Sequence, residues 1–253
     1  FDFNNMFSFS VAEHGVSRQD IDEILPDARK AVSHLKKIIA DPASRIKLNL
    51  EWVKLPEQEK DQIIKIQKLA RQISKKYENV LFLGIGGSYL GLKAAQDALC
   101  APYYNEFKSL RKKLPRIYLE GNNLDPDTLQ VILKNLNPKK TFVVVISKSG
   151  EPTDTKVDFI LVEAWLEKGV GAKYGRQILA ITDPESGSLR GRVEVEQKKD
   201  ILSFQALPFL KGVGGRFSEF NMGLLHLAIV GVDIRQLLSG AKDMLTRCSQ
   251  DDI

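Results

Sequence analysis

Cysteine is scarce, with 2 residues in a chain of 253. Cys100 and Cys248 lie far apart with no CxxC spacing, so neither a disulfide framework nor a zinc site is expected. Such usage suits a reducing cytoplasm. Long apolar runs are missing too. The longest uncharged stretches, Val80–Leu92 and Phe220–Val232, fall below the ~20 residues that cross a bilayer, and glycines interrupt both. Residues 1–20 carry no basic-then-apolar leader, so no secretory signal is expected. No internal repeat or low-complexity tract is visible. Membrane, secreted and metal-stapled classes are therefore set aside.

What is present is ordinary globular material, 43% hydrophobic and 27% charged, long enough for one large or two modest domains. Lysine and arginine outnumber aspartate and glutamate 37 to 32, a net charge of +5. Basic residues gather in Lys108–Arg116, Lys134–Lys140 and Arg190–Lys199. No aromatic residues are interleaved with them for base stacking, so they read as solvated helix faces and helix ends rather than a nucleic-acid surface. A mildly positive field suits an anionic small substrate.

The first 78 residues have helical spacing. Ala28, Ala31, Val32, Leu35, Ile38 and Ile39 form one stripe, and a second helix is expected from Pro56, with Ile63, Ile66, Ala70, Ile73 and Tyr77 on one face. From Asn79 the texture changes to short, wholly apolar runs: Val80–Gly84, Arg116–Leu119, Phe142–Ile146, Ile178–Thr182 and Ile201–Phe204. Helical stretches separate them: Tyr89–Leu99, Thr128–Leu136, Val157–Lys168 and Ser186–Gln197, with Phe217–Val230 and Ile234–Arg247 afterwards. Buried strands alternating with helices predict an α/β fold, a doubly wound, five-stranded, mainly parallel sheet, over residues 79–253 behind a helical amino-terminal arm, 1–78. In such sheets ligands bind beyond the carboxyl ends of the strands.

Three loops there are unusual. In Gly84-Ile-Gly-Gly-Ser-Tyr-Leu-Gly91, Gly86 and Gly87 allow a sharp turn with backbone N–H groups near an anion, and Ser88 is expected to cap the following helix. The spacing is wrong for GxGxxG, and no GxxxxGK[ST] occurs, so a nucleotide-binding domain is disfavoured. Ser147-Lys-Ser-Gly-Glu-Pro-Thr-Asp-Thr155 offers more hydroxyls than a helix cap needs, together with Lys148, and reads as a phosphate cradle. Gly212-Val-Gly-Gly-Arg-Phe-Ser218 puts Arg216 behind a double glycine at a helix start.

Together, VLFLGIGGSYLG at 80–91, VVVISKSGEPTDT at 143–155 and VGGRFS at 213–218 resemble the glucose-6-phosphate isomerase family, with weaker agreement at Glu120-Gly-Asn-Asn-Leu124 and Thr182–Arg190. The first two loops also resemble the broader sugar isomerase (SIS) fold. The resemblance implies a sugar 6-phosphate held by Gly87, Ser88, Ser147, Lys148, Ser149 and Thr153, with Gly86, Asp154 and Gly215 also lining the pocket. Arg216 would stabilise the enediolate formed as glucose 6-phosphate and fructose 6-phosphate interconvert. It implies no metal, no organic cofactor, no nucleic acid, no membrane and a homodimer in a full-length form. Pro152 stands where members usually carry a phosphate-binding threonine, with Thr153 and Thr155 as possible stand-ins; Asp154 stands where a glutamate is usual.

The family's catalytic glutamate, histidine and lysine lie beyond the arginine motif in a further domain. Only 37 residues follow Arg216, and none match those motifs. His14 and His34 lie in the arm, and His226 in the apolar helix reads as a packed core residue. The chain alone is therefore expected to be essentially inactive. A non-catalytic sugar-phosphate-binding regulator of the SIS type is the alternative; a tight-turned DNA-binding helix pair before the sheet would favour it, and none is evident.

Overall fold

A computed structural model of the protein describes residues 4–215 and 220–249. Four helices come first: α1 (Ser8–Val11), α2 (Arg18–Ala40), α3 (Pro42–Lys47) and α4 (Lys60–Lys76). Strands and helices then alternate: β1 (Asn79–Leu83), α5 (Gly87–Leu99), α6 (Lys108–Arg111), β2 (Arg116–Glu120), α7 (Pro126–Asn135) and β3 (Thr141–Ile146). The chain continues through α8 (Thr153–Val170), β4 (Ile178–Thr182), α9 (Ser188–Lys199), β5 (Gln205–Pro208), α10 (Gly223–Ile229) and α11 (Ile234–Cys248).

The sheet has the order β2-β1-β3-β4-β5. Every neighbouring pair is parallel, so the sheet is wholly rather than mainly parallel. The register sets Val80 beside Ile117 on one side and Phe142 on the other. Alternation along the strands divides the core. Val80, Phe82, Phe142, Val144, Ile146, Leu179 and Ile181 face a layer that includes Ile66 and Ile73 of α4 and Leu224 and Leu227 of α10. Leu81, Leu83, Val143, Val145, Ile178 and Ala180 face Leu129 of α7, Phe159 and Val162 of α8, and Val193 of α9. Helices cover both faces, which is why the central strands β1, β3 and β4 are apolar along their middles on both faces.

Several helices begin or end a few residues from expectation, α8 four residues early at Thr153, and three further boundaries differ as well. The fifth strand is Gln205–Pro208, not Ile201–Phe204. Asp200 closes a turn there, its carboxylate accepting from Leu202 N–H at 3.1 Å and its carbonyl from Ser203 N–H at 2.8 Å, leaving Ile201 75% exposed. Pro56 lies inside a short 3₁₀ turn, Glu51–Glu57, and α4 starts only at Lys60. Of the two residues between, Gln58 leaves the helical conformation (ψ +148°) and its side-chain amide donates to the Leu55 and Phe220 carbonyls, which ends the first turn. The helix expected over Phe217–Val230 is Gly223–Ile229 among the described residues; Phe217, Ser218 and Glu219 lie outside them.

α2 is begun by a reciprocal cap between Ser17 and Asp20. Its stripe is present, but no residue of α2 is buried among the described residues.

Candidate functional site

The 2-1-3-4-5 order reverses between β1 and β3, so the loops after those two strands flank the switch point, where open α/β sheets take ligands. These are the loops that carry Gly86–Ser88 and Ser147–Thr155.

Side-chain caps are unevenly distributed among the helices, and α1, α4, α6 and α10 lack them as well as three that follow strands. α2, α3, α7 and α11 have side-chain caps from Ser17, Asp41, Asp125 and Asp233. The helices after β1, β3 and β4 do not: α5, α8 and α9 begin behind Gly86, Pro152 and Gly187, with no side-chain cap hydrogen bond. These three positive helix ends thus lack a side-chain acceptor. Ser188 N–H of α9 donates to the Ser149 carbonyl and Ser88 N–H of α5 to the Ile85 carbonyl, but an anion can take the first-turn N–H groups that remain.

Contacts among the loops close into a ring. Gly84 N–H donates to the Glu120 carbonyl at 2.9 Å, and a Cβ on Gly121 (φ +85°) would sit 2.7 Å from Gly84 N. Gly121 is then held by α8: Thr155 Oγ1 donates to its carbonyl at 2.9 Å, and its N–H lies near enough to the Asp158 carboxylate to favour the charged form. The loop after β3 meets the loop after β4, where Ser188 N–H donates to the Ser149 carbonyl at 2.8 Å and Asp183 N–H to the Lys148 carbonyl at 3.1 Å. Lys211 pairs with Glu185 at 2.5 Å, joining the loop after β5. That loop returns to the start at Gly215, so close that a Cβ on Gly87 would lie 2.3 Å from Gly215 Cα. Glu51 N–H braces it from the amino-terminal segment, donating to the Gly212 carbonyl at 3.0 Å.

Burial pushes the Asp158 carboxyl upward, the Gly121 N–H opposes this, and Asp154 raises it further. Burial likewise raises Glu120, with repulsion from Asp158 and Asp125. Asp183 is held low, chiefly by the backbone N–H of Glu185, so it is committed to its own turn.

The expected site residues are placed as follows. Ser88 does not cap α5: Gly86 (φ +56°) takes that position, and Ser88 is the second helical residue, half-buried over Gly84. Ser147 is buried, and its Oγ accepts from Gly150 N–H at 2.9 Å, leaving the hydroxyl proton for another partner. Ser149 Oγ accepts from Glu151 N–H at 3.2 Å. Lys148 and Thr153 are exposed, Thr153 and half-buried Asp154 being the first two residues of α8. Thr155 is not free to stand in for the missing threonine, because its proton is committed to Gly121. Gly87 and Gly215 touch; Arg216 lies outside the described residues.

A cavity of about 360 Å³ opens between α8 and α9, floored by Val145, Phe159 and Leu189, with Lys156 and Arg192 also on its wall. Of the expected residues, Ser147 lines it, as does Thr155. Among the described residues no three His, Cys, Asp or Glu side chains are grouped to hold a metal, and no helix is long and apolar enough to cross a membrane. His226 is fully buried, bonded to Gln96 at 2.9 Å and edge-on to Phe82.

The Gly121 clamp escaped sequence reasoning. Its traces were a glycine directly after β2 and a Thr–Asp pair at helical i, i+3 spacing, neither of which signals chemistry alone.

Comparison with known proteins shows the family. The phosphoglucose isomerase family model matches residues 53–250. The whole chain is 34% identical to a glucose-6-phosphate isomerase of Carboxydothermus hydrogenoformans and 32% identical to one of Leuconostoc mesenteroides, covering 52% and 53% of those proteins. It thus spans about half the length of the curated relatives it matches. A hypothetical protein from Thermus thermophilus superposes with a TM-score of 0.72 at 29% identity, over 90% of this chain and 49% of that one. A glucose-6-phosphate isomerase from Chlamydia trachomatis shares the fold, with a TM-score of 0.56 at 22% identity over 76% of this chain and 34% of that one. With switch-point loops, uncapped helix ends and a family match over most of its length, the chain belongs to the phosphoglucose isomerase family.

Proposed function

We propose that this chain supplies the sugar-phosphate-binding half of a glucose-6-phosphate isomerase, an aldose–ketose isomerase acting on glucose 6-phosphate and fructose 6-phosphate. The observation that carries the reading is the ring of loops around three uncapped helix ends. Their N–H groups, with Ser88, Ser147, Lys148, Ser149 and Thr153, suit a phosphate dianion without a metal. Gly86, Gly87, Asp154 and Gly215 complete the walls.

Isomerisation moves a proton from C2 to C1 of the open sugar through an enediol. Negative charge develops on the oxygens, and a guanidinium fixed beside them lowers that barrier. Arg216 takes this role; what supports it is its neighbour Gly215, packed against Gly87 in the first loop. The base that removes the proton is not among the motifs of this chain, so the chain alone binds sugar phosphate and turns it over negligibly. A homodimer of the full-length form and a cytoplasmic setting belong to the same reading. Arg216→Ala tests it: affinity for a linear phosphorylated sugar acid resembling the enediolate should fall while the unfolding midpoint stays unchanged. Unaltered affinity removes Arg216 from the site.

A further inference from the structure

The basic segment Lys108–Arg116 is not used by the sugar-phosphate reading. It lies at the opposite end of the sheet, where α6 ends and β2 begins. Folding brings it against Lys75 and Lys76 at the end of α4, and together they line a cleft of about 430 Å³. Seven cations face this cleft: those two lysines with Lys108, Arg111, Lys112, Lys113 and Arg116. Among the described residues the sole carboxylate on its wall is Glu78, already paired with Lys140 at 2.6 Å.

The cleft is built rather than merely charged. Asn105 pins the start of β2 through both ends of its side-chain amide, at 2.6 and 2.9 Å from the backbone of Ile117. Its backbone carbonyl accepts from Arg111 Nε at 3.3 Å and Arg116 Nε at 3.2 Å. Arg111 is 8% exposed and donates also to the Leu114 carbonyl. Both guanidiniums are thus held by neutral carbonyls, and the single carboxylate Glu78 is shared among Lys140, Arg116 and Lys108, so most of the cleft's positive charge has no counter-charge on its wall. Lys112 is kept at φ +55°, a conformation unfavourable for a side-chain-bearing residue, within the same wall. One or two cations satisfy the ends of α4 and α6; seven repel one another unless an anion joins them.

We propose that this cleft is a second, independent site for a compact polyphosphate, the triphosphate of a nucleotide or its inorganic equivalent. Concavity and size favour a small anion over a nucleic-acid strand, and the wall's one aromatic ring, Tyr77, is buried and offers no stacking platform.

The test is titration of the chain with inorganic tripolyphosphate at about 0.05 M and about 0.15 M salt. One ion should bind per chain, more tightly than monophosphate and more weakly at the higher salt. Lys112→Ala with Lys113→Ala, both exposed, should lower affinity at least about tenfold. Lys134→Ala with Lys139→Ala removes the same charge elsewhere and should change it less than about twofold. Equal losses in the two double variants, or several ions bound per chain, would reduce the cleft to diffuse charge and overturn the proposal. A single-stranded oligonucleotide binding more tightly than tripolyphosphate would overturn the compact ligand. Displacement by glucose 6-phosphate would overturn the independence of the two sites.

Discussion

Ser147 and His226 show how one residue's surroundings set its part. Ser147 accepts from Gly150 N–H and keeps its own proton available, so a phosphate oxygen is a fitting acceptor. Ser147→Ala should cost about 1.5–3 kcal/mol of sugar-phosphate binding, read by titration, and leave binding of neutral glucose as weak as before. His226 is the opposite case, a neutral imidazole in the core. Burial drives its pKa down to about 3, against an ordinary value of 6.5. Between those values the unfolded chain binds the proton and the folded chain does not, so stability falls as pH drops from about 6.5 toward 3. The loss is about 1.4 kcal/mol per pH unit in that window. Urea midpoints of His226→Gln should therefore vary less between about pH 6.5 and pH 5 than those of the wild type; parallel curves would contradict the buried-histidine account.

At the scale of elements, loop spacing is set by backbone against backbone. Gly87→Ala drives a Cβ into Gly215 Cα and carbonyl, where no flexible side chain can yield. It should destabilise by about 1–3 kcal/mol and weaken sugar-phosphate binding, both measurable in one thermal-shift series with ligand. Thr155→Val strips the buried Gly121 carbonyl of its donor and loosens α8 from the β2 loop. It should cost about 1–3 kcal/mol of stability and lower ligand affinity, with both recovered in Thr155→Ser. Elements such as β3 and α4 were legible in sequence because their burial follows from local pattern: FVVVI is apolar throughout, and Ile63, Ile66, Ala70 and Ile73 fall on one buried face. β5 was not, since Ile201 and Leu202 resemble a strand while a side-chain-closed turn at Asp200 puts them in solvent. The switch-point loops were legible from glycine and hydroxyl content. Their closure into a ring was not, because Gly87–Gly215 and Thr155–Gly121 are contacts between segments distant in sequence, and Arg216 lies outside the described residues.

At the scale of the whole molecule, the chain carries the switch-point end of the sheet and spans about half the length of the relatives it matches. On the proposed reading, a phosphate site and an enediolate-stabilising arginine would bind a substrate without supplying the base that moves its proton. Purified chain should bind glucose 6-phosphate yet convert it negligibly to fructose 6-phosphate in a coupled assay; robust turnover would show that the acid–base groups are present after all. Titration of isotope-labelled chain with glucose 6-phosphate, followed through its backbone amide resonances, probes the site most directly. Saturable shifts confined to Gly84–Tyr89, Ser147–Thr155 and the segment around Gly215 are the expected result. Saturation with those resonances unmoved, or no binding by a folded chain, would contradict the placement of the sugar phosphate at the switch point.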